Sequence, residues 1–324
     1  MGKGPEVPAS EPTPAALTNP FLRYFLATRP AFLSVSLVAC LLGLAAAMYD
    51  RVFVSPWPAV LTIVSALVAH AGINVLNDYY DALNGTDDIN TDRIFPFTGG
   101  SRFIQNGVFS RRQAAAYGFT LLSVAALAGL GLVLRSGPGL LLIVAAGLAV
   151  GWSYSAPPLK LSSRGWGELS VATGFLLIVV GADYVQRHGF SWRPVFAGLS
   201  YALLVTNILY INQFPDLRAD AAAGKHHWVV RLGARRAVWG YGLIAGMAGL
   251  WLVGAVAAGV LPVPALGACA SFVPAAGALR RLHRDWDRPR TLAPAIRLTI
   301  AAALIHGLLL AIGIGLSGMR GGAI

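Results

Sequence analysis

Long apolar runs dominate the pattern of residues along the chain. Runs rich in leucine, alanine and glycine recur from Ala31 almost to the C-terminus, without the alternation of apolar and polar positions that is typical of a membrane β-barrel. A bilayer core about 30 Å thick requires roughly 20 apolar residues per helix, and the chain has room for about nine such runs. The predicted spans lie near residues 31–49, 58–80, 113–134, 138–154, 168–186, 194–214, 235–255, 258–278 and 295–316.

Composition supports a fold that is all-α and polytopic in the membrane. Hydrophobic residues make up 56% of the chain and charged residues only 12%, which lies outside the range of soluble proteins. Cys40 and Cys269 both fall inside predicted spans, so we interpret them as small packing residues and expect no disulfide framework. We expect residues 1–22, rich in proline and alanine, to form a disordered cytosolic tail, and residues 23–324 to form a single transmembrane domain.

The distribution of basic residues predicts the orientation of the spans. If the N-terminus and the loops on its side are counted together, they hold 20 of the 25 lysines and arginines. The positive-inside rule then places the N-terminus in the cytoplasm of a multi-pass protein of the cell inner (plasma) membrane. Topology and an anionic substrate explain the net charge of +11, so we expect no nucleic acid partner.

The first cluster of polar residues is NVLNDYYD, at the end of the second predicted span. At 100° per residue, Asn74, Asn77 and Asp81 fall within about 60° of one another, and Asp78 lies some 40° further round. Capping of a helix end would explain one aspartate. It does not explain a polar stripe that begins about two turns inside the membrane, at His70, which we interpret as a structural histidine.

The second cluster, YINQFPDLRAD, ends the sixth predicted span on the same side of the membrane. Asn212, Asp216 and Asp220 recur at intervals of four, which again predicts one helical face. Pro215 is expected to kink or restart the helix, which would place Asp216 in the first turn of a new helix.

Carboxylate and amide oxygens without cysteine form a set of hard ligands suited to Mg²⁺. Mg²⁺ held by a few carboxylates normally completes its shell with water and substrate phosphates. Two such clusters that face each other therefore predict a site for a diphosphate held through shared metal ions. The predicted metal ligands are Asn77, Asp78, Asp81, Asn212, Asp216 and Asp220.

Basic loops on the same side fit a diphosphate. Arg93 and Arg102 follow the second span, and Gly99 and Gly100 between them allow the backbone to approach an anion closely. Positive-inside topology explains each basic residue taken alone. Beside two acidic clusters, however, these residues are also candidates to bind phosphate. Further polar candidates in the later loops are Tyr154, Lys160, Arg164, Arg218 and Lys225.

These motifs resemble those of the UbiA superfamily of intramembrane prenyltransferases. The first aspartate-rich motif of that family, NDxxD, looks like residues 77–81, and the second, DxxxD, looks like residues 216–220. The ArgPro pair at residues 29–30, the YSAPPLK loop from Tyr154 and the RGxGE string from Arg164 are also similar to family segments. The resemblance covers about residues 23–310.

The resemblance implies a helix bundle around a central cavity, with its active site at the cytoplasmic side and an opening to membrane lipid. There, Mg²⁺, as two ions, would bind a polyprenyl diphosphate, and a small aromatic acceptor would capture the allylic cation. The implied catalytic residues are Asn77, Asp81, Asp216, Asp220, Lys160 and Tyr154. The implied substrate-binding residues are Asn74, Arg93, Arg102, Arg164, Arg218, Lys225 and Asp87.

The segment after the first motif bears on the acceptor. Family members that use 4-hydroxybenzoate commonly carry an acidic residue where this chain has Gly85, and here the acid is delayed to Asp87. That pattern is more similar to the 1,4-dihydroxy-2-naphthoate prenyltransferases of menaquinone synthesis. His226 and His227, however, stand where the family usually has a small residue and threonine, which leaves other acceptors open: 4-hydroxybenzoate, homogentisate, haem and a chlorophyll precursor. Terpene cyclisation is also open.

A cation-coupled transporter is the alternative from another class, because acidic residues inside a membrane often mark ion paths. Transporters tend to place such residues near mid-depth on broken helices, whereas these collect at helix ends.

Overall fold

The computed structural model describes residues 10–320, and this part of the chain is helical throughout its regular structure. The helices are α1 (Pro20–Ala27), α2 (Pro30–Tyr49), α3 (Pro56–Asn84), α4 (Thr86–Ile89), α5 (Arg111–Ser136), α6 (Gly139–Ser155), α7 (Gly167–Arg187), α8 (Arg193–Ala222), α9 (Trp228–Leu232), α10 (Ala234–Ala257), α11 (Phe272–Asp285) and α12 (Ala293–Arg320). A 3₁₀ segment, Val263–Ser271, leads directly into α11.

The predicted spans correspond closely to these helices. Eight segments of the described chain are long and apolar enough to cross a membrane, and the 17-residue α6 matches the remaining predicted span. The largest difference is the eighth span, which we predicted from residue 258 but which runs over Val263–Asp285. Gly259 has a left-handed φ of 70°, a conformation that terminates helices, so the chain leaves α10 before the next span begins.

Helix α8 lies at the centre of the bundle. In its most apolar window 72% of the residues are buried, the largest share among the candidate spans of the described chain. It packs against α7, α10 and α12. Its buried Tyr201 donates a hydrogen bond of 2.7 Å to the carbonyl of Val35 in α2. The second aspartate-rich motif is thus built on the most enclosed helix.

The predicted restart of the helix at Pro215 is wrong. Helix α8 continues through Pro215 to Ala222, so Asp216 does not begin a new helix. A proline inside a helix removes one hydrogen bond, here the one to the carbonyl of Ile211. Ile211 and Phe214 are both buried in the core, and their packing holds the helix across the missing bond.

The expected disordered tail differs from the structure where the structure describes it. Residues 1–9 lie outside the described residues, but residues 10–22 pack against the loop before α5. Leu17 is buried in a cluster with Phe103 and Phe109, and its carbonyl accepts hydrogen bonds of 3.0 and 2.7 Å from Arg23. Burial of that apolar side chain offsets the entropy of ordering the segment.

The two ends of the bundle carry different polar groups. We call the end that holds both aspartate-rich motifs the motif end, and the other the opposite end. At the opposite end, Arg187 donates to Asp183 and Asp50, with N···O distances of 2.8 Å to each. Arg193 donates to Asp50 at 2.7 Å and to the carbonyl of Val260. This network joins the ends of α2, α7 and α8 to the loop after α10.

Candidate active site

Lys225 joins the two aspartate-rich motifs. Its Nζ lies 2.9 Å from Oδ1 of Asp81, on α3, and 3.0 Å from Oδ1 of Asp220, on α8. Burial disfavours the charged lysine, but the two carboxylates outweigh burial and raise the pKa of Lys225 above its ordinary value. Two helices far apart in sequence therefore place carboxylates around one buried cation.

Neighbouring side chains orient these two carboxylates. Asn77 donates hydrogen bonds of 3.1 Å to Asp81 and 2.9 Å to Ser155 at the end of α6. On the other side, His227 Nε2 lies 3.1 Å from Oδ2 of Asp220. The backbone N–H of Val230 donates to Nδ1 of the same ring at 3.4 Å, so Nε2 carries the proton and donates it to Asp220.

The loop between α4 and α5 binds the remaining aspartates through its backbone. The N–H of Ser101 donates to Asp78 at 3.1 Å, and the N–H of Gly99 reaches Asp216 at 3.4 Å. Asn90 donates a further bond of 2.6 Å to Asp216. Gly99 has a φ of 74°, which aims its N–H at an anion, as the sequence suggested. The anion it meets in this structure is a protein carboxylate.

Several buried acceptor oxygens at the motif end have no hydrogen-bond partner in the described chain, and four of them lie in or beside the aspartate-rich motifs. They are Oδ1 of Asp78, Oδ2 of Asp87, Oδ1 of Asn90 and Oδ1 of Asn212. The first two flank one point beside Gly100: a methyl group built on that glycine would lie 3.0 Å from the Asp78 oxygen and 2.5 Å from the Asp87 oxygen. Unpartnered buried acceptors are expensive unless something else binds them.

Electrostatics at this point favours a cation. Burial, followed by the charges of Asp81 and Asp78, raises the pKa of Asp87 well above its ordinary value. Among the described residues, no three His, Cys, Asp or Glu side chains form a closed metal cage. Such a cage is not required for Mg²⁺, which usually takes one or two carboxylates and completes its shell with water and phosphate. The oxygens beside Gly100 fit that demand.

Asn77 and Asn212, the two asparagines predicted as metal ligands, both line the cavity. Their amide N–H groups donate hydrogen bonds to other protein groups. Asn212 donates to the carbonyl of Phe97 at 3.3 Å, which leaves only its oxygen free, whereas Asn77 is committed to Asp81 and Ser155. Asn74, predicted to bind substrate, donates at 3.0 Å to the carbonyl of Thr28 and lines the cavity wall.

The predicted phosphate-binding residues divide into two groups. Arg93 and Arg102 lie beside the site, where Arg102 Nη1 donates to the main-chain carbonyl of Asp87 at 2.5 Å. Both also pair with Glu11, with N···O distances of 2.7 and 3.8 Å. Arg218 is 82% exposed and pairs with Asp92 at 3.4 Å, which turns it toward solvent.

The loop after α6 contributes less than the sequence suggested. Arg164 is exposed and donates at 2.9 Å to the carbonyl of Pro158. Lys160 is half-buried with a left-handed φ of 44°, and it forms no ion pair with a carboxylate of the described chain. The structure therefore brings Lys225 into the acidic cluster but not Lys160 or Arg164.

A cavity of about 340 Å³ opens below the two motifs. Asn77, Asn212, Arg29 and Tyr154 line its polar mouth. Its body runs along α3 as far as Thr62, which at 1.5 Å per residue is a depth of roughly 22 Å from Asn77. Most of the wall is aliphatic. Such a cavity suits a ligand with a charged head and a long apolar tail.

Sequence reasoning missed several residues that complete the site. Arg29 lies 4.0 Å from Asp78 and donates a hydrogen bond of 3.2 Å to the carbonyl of Phe97. The sequence showed the ArgPro pair at residues 29–30 but gave Arg29 no role in the site. His227 was noticed as a departure from the family pattern. Asn90 and Ser155 gave no signal beyond their polarity, because their partners are far away in sequence.

Comparison with known proteins agrees with this architecture. The sequence model of the UbiA prenyltransferase family matches residues 36–307. The chain is 30% identical over 294 residues to a 1,4-dihydroxy-2-naphthoate octaprenyltransferase of Mycobacterium tuberculosis, covering 90% of this chain and 96% of the relative. It is 28% identical over 271 residues to a 2-carboxy-1,4-naphthoquinone phytyltransferase of Synechocystis, covering 79% and 81% of the two chains.

A solved structure has the same fold. It is that of a UbiA homolog from Archaeoglobus fulgidus bound to DMAPP and Mg²⁺, with a TM-score of 0.59 at 15% identity, over 90% of this chain and 99% of that one. The predicted all-helical membrane fold is confirmed, and the transporter alternative is set aside. The chain is a multi-pass membrane enzyme that belongs to the UbiA prenyltransferase family.

Proposed function

We propose that the protein transfers a polyprenyl group from an isoprenoid diphosphate to 1,4-dihydroxy-2-naphthoate, in a reaction that depends on Mg²⁺ and belongs to menaquinone synthesis. The observation that carries the proposal is the meeting of two aspartate-rich motifs above an apolar cavity about 340 Å³ in volume. The motifs suit a metal-bound diphosphate, and the cavity suits its hydrocarbon tail. The names of the two naphthoate-specific relatives support the acceptor.

The residues that would hold Mg²⁺ are those whose oxygens are unpartnered or share a replaceable cation. Asp78 and Asp87 offer the free oxygens beside Gly100, and Asp81 and Asp220 offer the oxygens that now bind Lys225. We propose two ions, one for each pair of carboxylates. When bound, Mg²⁺ supplies charge neutralisation for the departing diphosphate.

Basic side chains would act on the diphosphate itself. Lys225, Arg93 and Arg102 can bind its oxygens and stabilise the negative charge that develops as the allylic C–O bond breaks. Arg102 and Lys225 are already buried at the motif end, so they need little reorganisation to do so.

The cavity wall would protect the carbocation. Below its polar mouth the lining is mostly aliphatic, so little water lies beside the reacting carbon, and the acceptor ring is the strongest nucleophile in reach. Tyr154 lines the cavity mouth and would contact the reacting end of the prenyl chain.

The test uses purified full-length protein with Mg²⁺, a polyprenyl diphosphate and a panel of aromatic acceptors, with mass spectrometry of the products and a separate assay for released diphosphate. We expect prenylated naphthoate. Product with 4-hydroxybenzoate or homogentisate but not with the naphthoate would overturn the proposed acceptor. Absence of product with every acceptor, from protein that binds the donor, would overturn the proposed transfer reaction.

We also propose that the motif end faces the cytoplasm of a plasma (inner) membrane, because the basic residues concentrate there. Single cysteines placed in the loop at residues 103–110 and at residues 188–192, in a background without Cys40 and Cys269, would be labelled in intact cells with a membrane-impermeant thiol reagent. Labelling of the second site alone is expected. Labelling of the first alone would reverse the orientation.

A further inference from the structure

A carboxylate from the N-terminal segment occupies the two arginines at the motif end. We call residues 10–19 the strap. Within it, Glu11 Oε1 lies 2.7 Å from Nε of Arg93, and Glu11 Oε2 lies 3.8 Å from Nε of Arg102. These are the guanidinium groups that lie beside the aspartate-rich motifs. The contact spans 82 positions in the sequence from Glu11 to Arg93, so neighbouring residues in the chain do not force it.

The strap is fastened at two points. Asn106 donates hydrogen bonds of 3.1 Å to Oε2 of Glu11 and 2.9 Å to the carbonyl of Pro12. Further along, Leu17 is buried with Phe103. The fastening is modest, because the Glu11 side chain is 28% exposed to solvent. An arrangement of this kind can open without unfolding the bundle.

The two arginines require an anion. Burial and then the charge of Arg93 lower the pKa of the Arg102 guanidinium, and Arg102 Nε has no hydrogen-bond partner in the described chain. Burial disfavours ionised Glu11, but the hydrogen bonds from Arg93 and Asn106 outweigh burial and hold the pKa of that carboxyl below its ordinary value. One carboxylate thus serves two guanidinium groups, and one of them remains incompletely bonded.

A diphosphate would satisfy this pair better than Glu11 does. It carries more negative charge than one carboxylate and offers more oxygens, so it can accept hydrogen bonds from both arginines at once. Glu11 has a single shared charge, and its approach to Arg102 is longer than a hydrogen bond. Glu11 is therefore an internal anion that a diphosphate can displace from the two arginines.

We propose that Glu11 is an internal competitor for the diphosphate of the donor: the strap fills Arg93 and Arg102 when the site is empty and is displaced when donor binds. The inference rests on the proposed function, which makes these arginines diphosphate ligands. Glu11 then sets the affinity for the donor without taking part in bond cleavage. Weakening the strap should tighten donor binding.

The test measures binding of inorganic pyrophosphate with Mg²⁺ to full-length protein by titration calorimetry, so that it does not depend on turnover. Glu11→Gln keeps the size of the side chain and removes its charge, and is expected to bind pyrophosphate roughly three- to fivefold more tightly, as loss of a partly exposed ion pair predicts. Asn106→Ala releases Glu11 without changing the charge, and should shift affinity in the same direction. With donor, the KM should fall and kcat should stay unchanged.

The matched control is Asp88→Asn. It removes one negative charge close enough to affect Arg102, but Asp88 pairs with Arg111 and does not contact Arg93. A shift in Asp88→Asn as large as that in Glu11→Gln would mean that net charge alone sets affinity, and would overturn the inference. Weaker pyrophosphate binding by Glu11→Gln would overturn it too, because Glu11 would then position the arginines for substrate.

Failure of this inference can be distinguished from failure of the proposed function. Suppose that the wild-type protein forms prenylated product, while Arg93→Gln and the wild type bind pyrophosphate equally. Arg93 is then not a diphosphate ligand, so the inference fails and the proposed transferase stands. If the wild-type protein binds pyrophosphate, and Glu11→Gln binds it more tightly, but no acceptor is prenylated, the inference stands and the proposed reaction fails.

Discussion

The two ends of the bundle hold similar charged groups in different states of pairing. At the opposite end, Asp50 and Asp183 face Arg187 and Arg193, and each of the four carboxylate oxygens accepts a hydrogen bond from a guanidinium group. At the motif end, several buried carboxylate and amide oxygens accept nothing in the described chain. A fully paired network stabilises the fold, whereas a partly paired one retains capacity to bind a ligand.

Asp81→Asn, at the motif end, is expected to cause the largest loss of activity. The substitution keeps the shape of the side chain and its bond with Asn77 but removes a charge that we assign to metal and to Lys225. We expect kcat/KM to fall by about a thousandfold, the scale found when one group that stabilises developing charge is removed. Steady-state prenyl transfer measures it, with Asp50→Asn as the control at the opposite end. Activity within a few fold of wild type would contradict the metal assignment.

The opposite end should show the reverse pattern. Asp183 is 1% exposed and binds Arg187 through both oxygens, so Asp183→Ala leaves a half-buried guanidinium group without one of its two carboxylate partners. We expect a loss of about 3 kcal/mol in stability, the lower value for a broken buried ion pair, with turnover preserved at low temperature. Thermal unfolding in detergent gives the first quantity and prenyl transfer the second.

A double substitution tests whether the loss comes from that unpaired charge. Asp183→Ala combined with Arg187→Met removes both partners and should recover part of the stability. A double variant less stable than Asp183→Ala would show that Arg187 stabilises the fold through Asp50 instead.

Lys225→Met should convert the motif end into a site whose stability depends on metal. In the wild type, Asp81 and Asp220 already share a cation. Without that cation the two carboxylates repel each other, so Mg²⁺ bound between them stabilises the fold more than it does in the wild type. At a hundred times the dissociation constant, a ligand that binds only the folded state adds about 2.7 kcal/mol. We expect the Mg²⁺-induced rise in Tm to be larger in Lys225→Met than in the wild type; an equal or smaller rise would contradict this role.

The smallest expected effect concerns the cavity. Gly174 on α7 lines the cavity, and a side-chain carbon built on it would meet no atom within 4 Å. Gly174→Leu should therefore fold normally and fill part of the space. We expect turnover of a short prenyl donor to stay within about threefold of wild type, whereas longer donors lose efficiency by roughly tenfold, as expected for a few lost apolar contacts.

Gly254 on α10 is the matched control for this cavity substitution. It also has open space around its Cα but does not line the cavity. Gly254→Leu should leave the order of donor preference unchanged. An equal loss with short and long donors in Gly174→Leu would mean that the cavity does not hold the prenyl tail.

The sequence allowed prediction of the spans and of the two faces that carry the motifs. Helical periodicity and apolar length are local properties, so the positions of α2, α3 and α8 followed from them. The interval of four between Asp216 and Asp220 likewise placed both on one helical face. This face is preserved despite Pro215, because buried neighbouring side chains hold the helix together.

The pairing inside the site could not be predicted, because it depends on loop conformation. Gly99 and Arg102 both adopt left-handed φ values, 74° and 66°, and these turn the loop so that its N–H groups meet carboxylates from two helices. The contact between Glu11 and Arg93 likewise joins segments that no periodicity relates. For the same reason Lys160 and Lys225, equally plausible in the sequence, differ in the structure: only Lys225 reaches the carboxylates.

Lys225 also has a consequence for the biogenesis of the protein. The chain must enter the membrane and bring the ends of α3 and α8 that carry the two motifs close together before it binds substrate, and at that stage Asp81 and Asp220 would repel each other. The ammonium group between them supplies the missing positive charge from within the chain itself. Assembly of the bundle and binding of the proposed metal are then separate events, so the enzyme can fold before it binds metal.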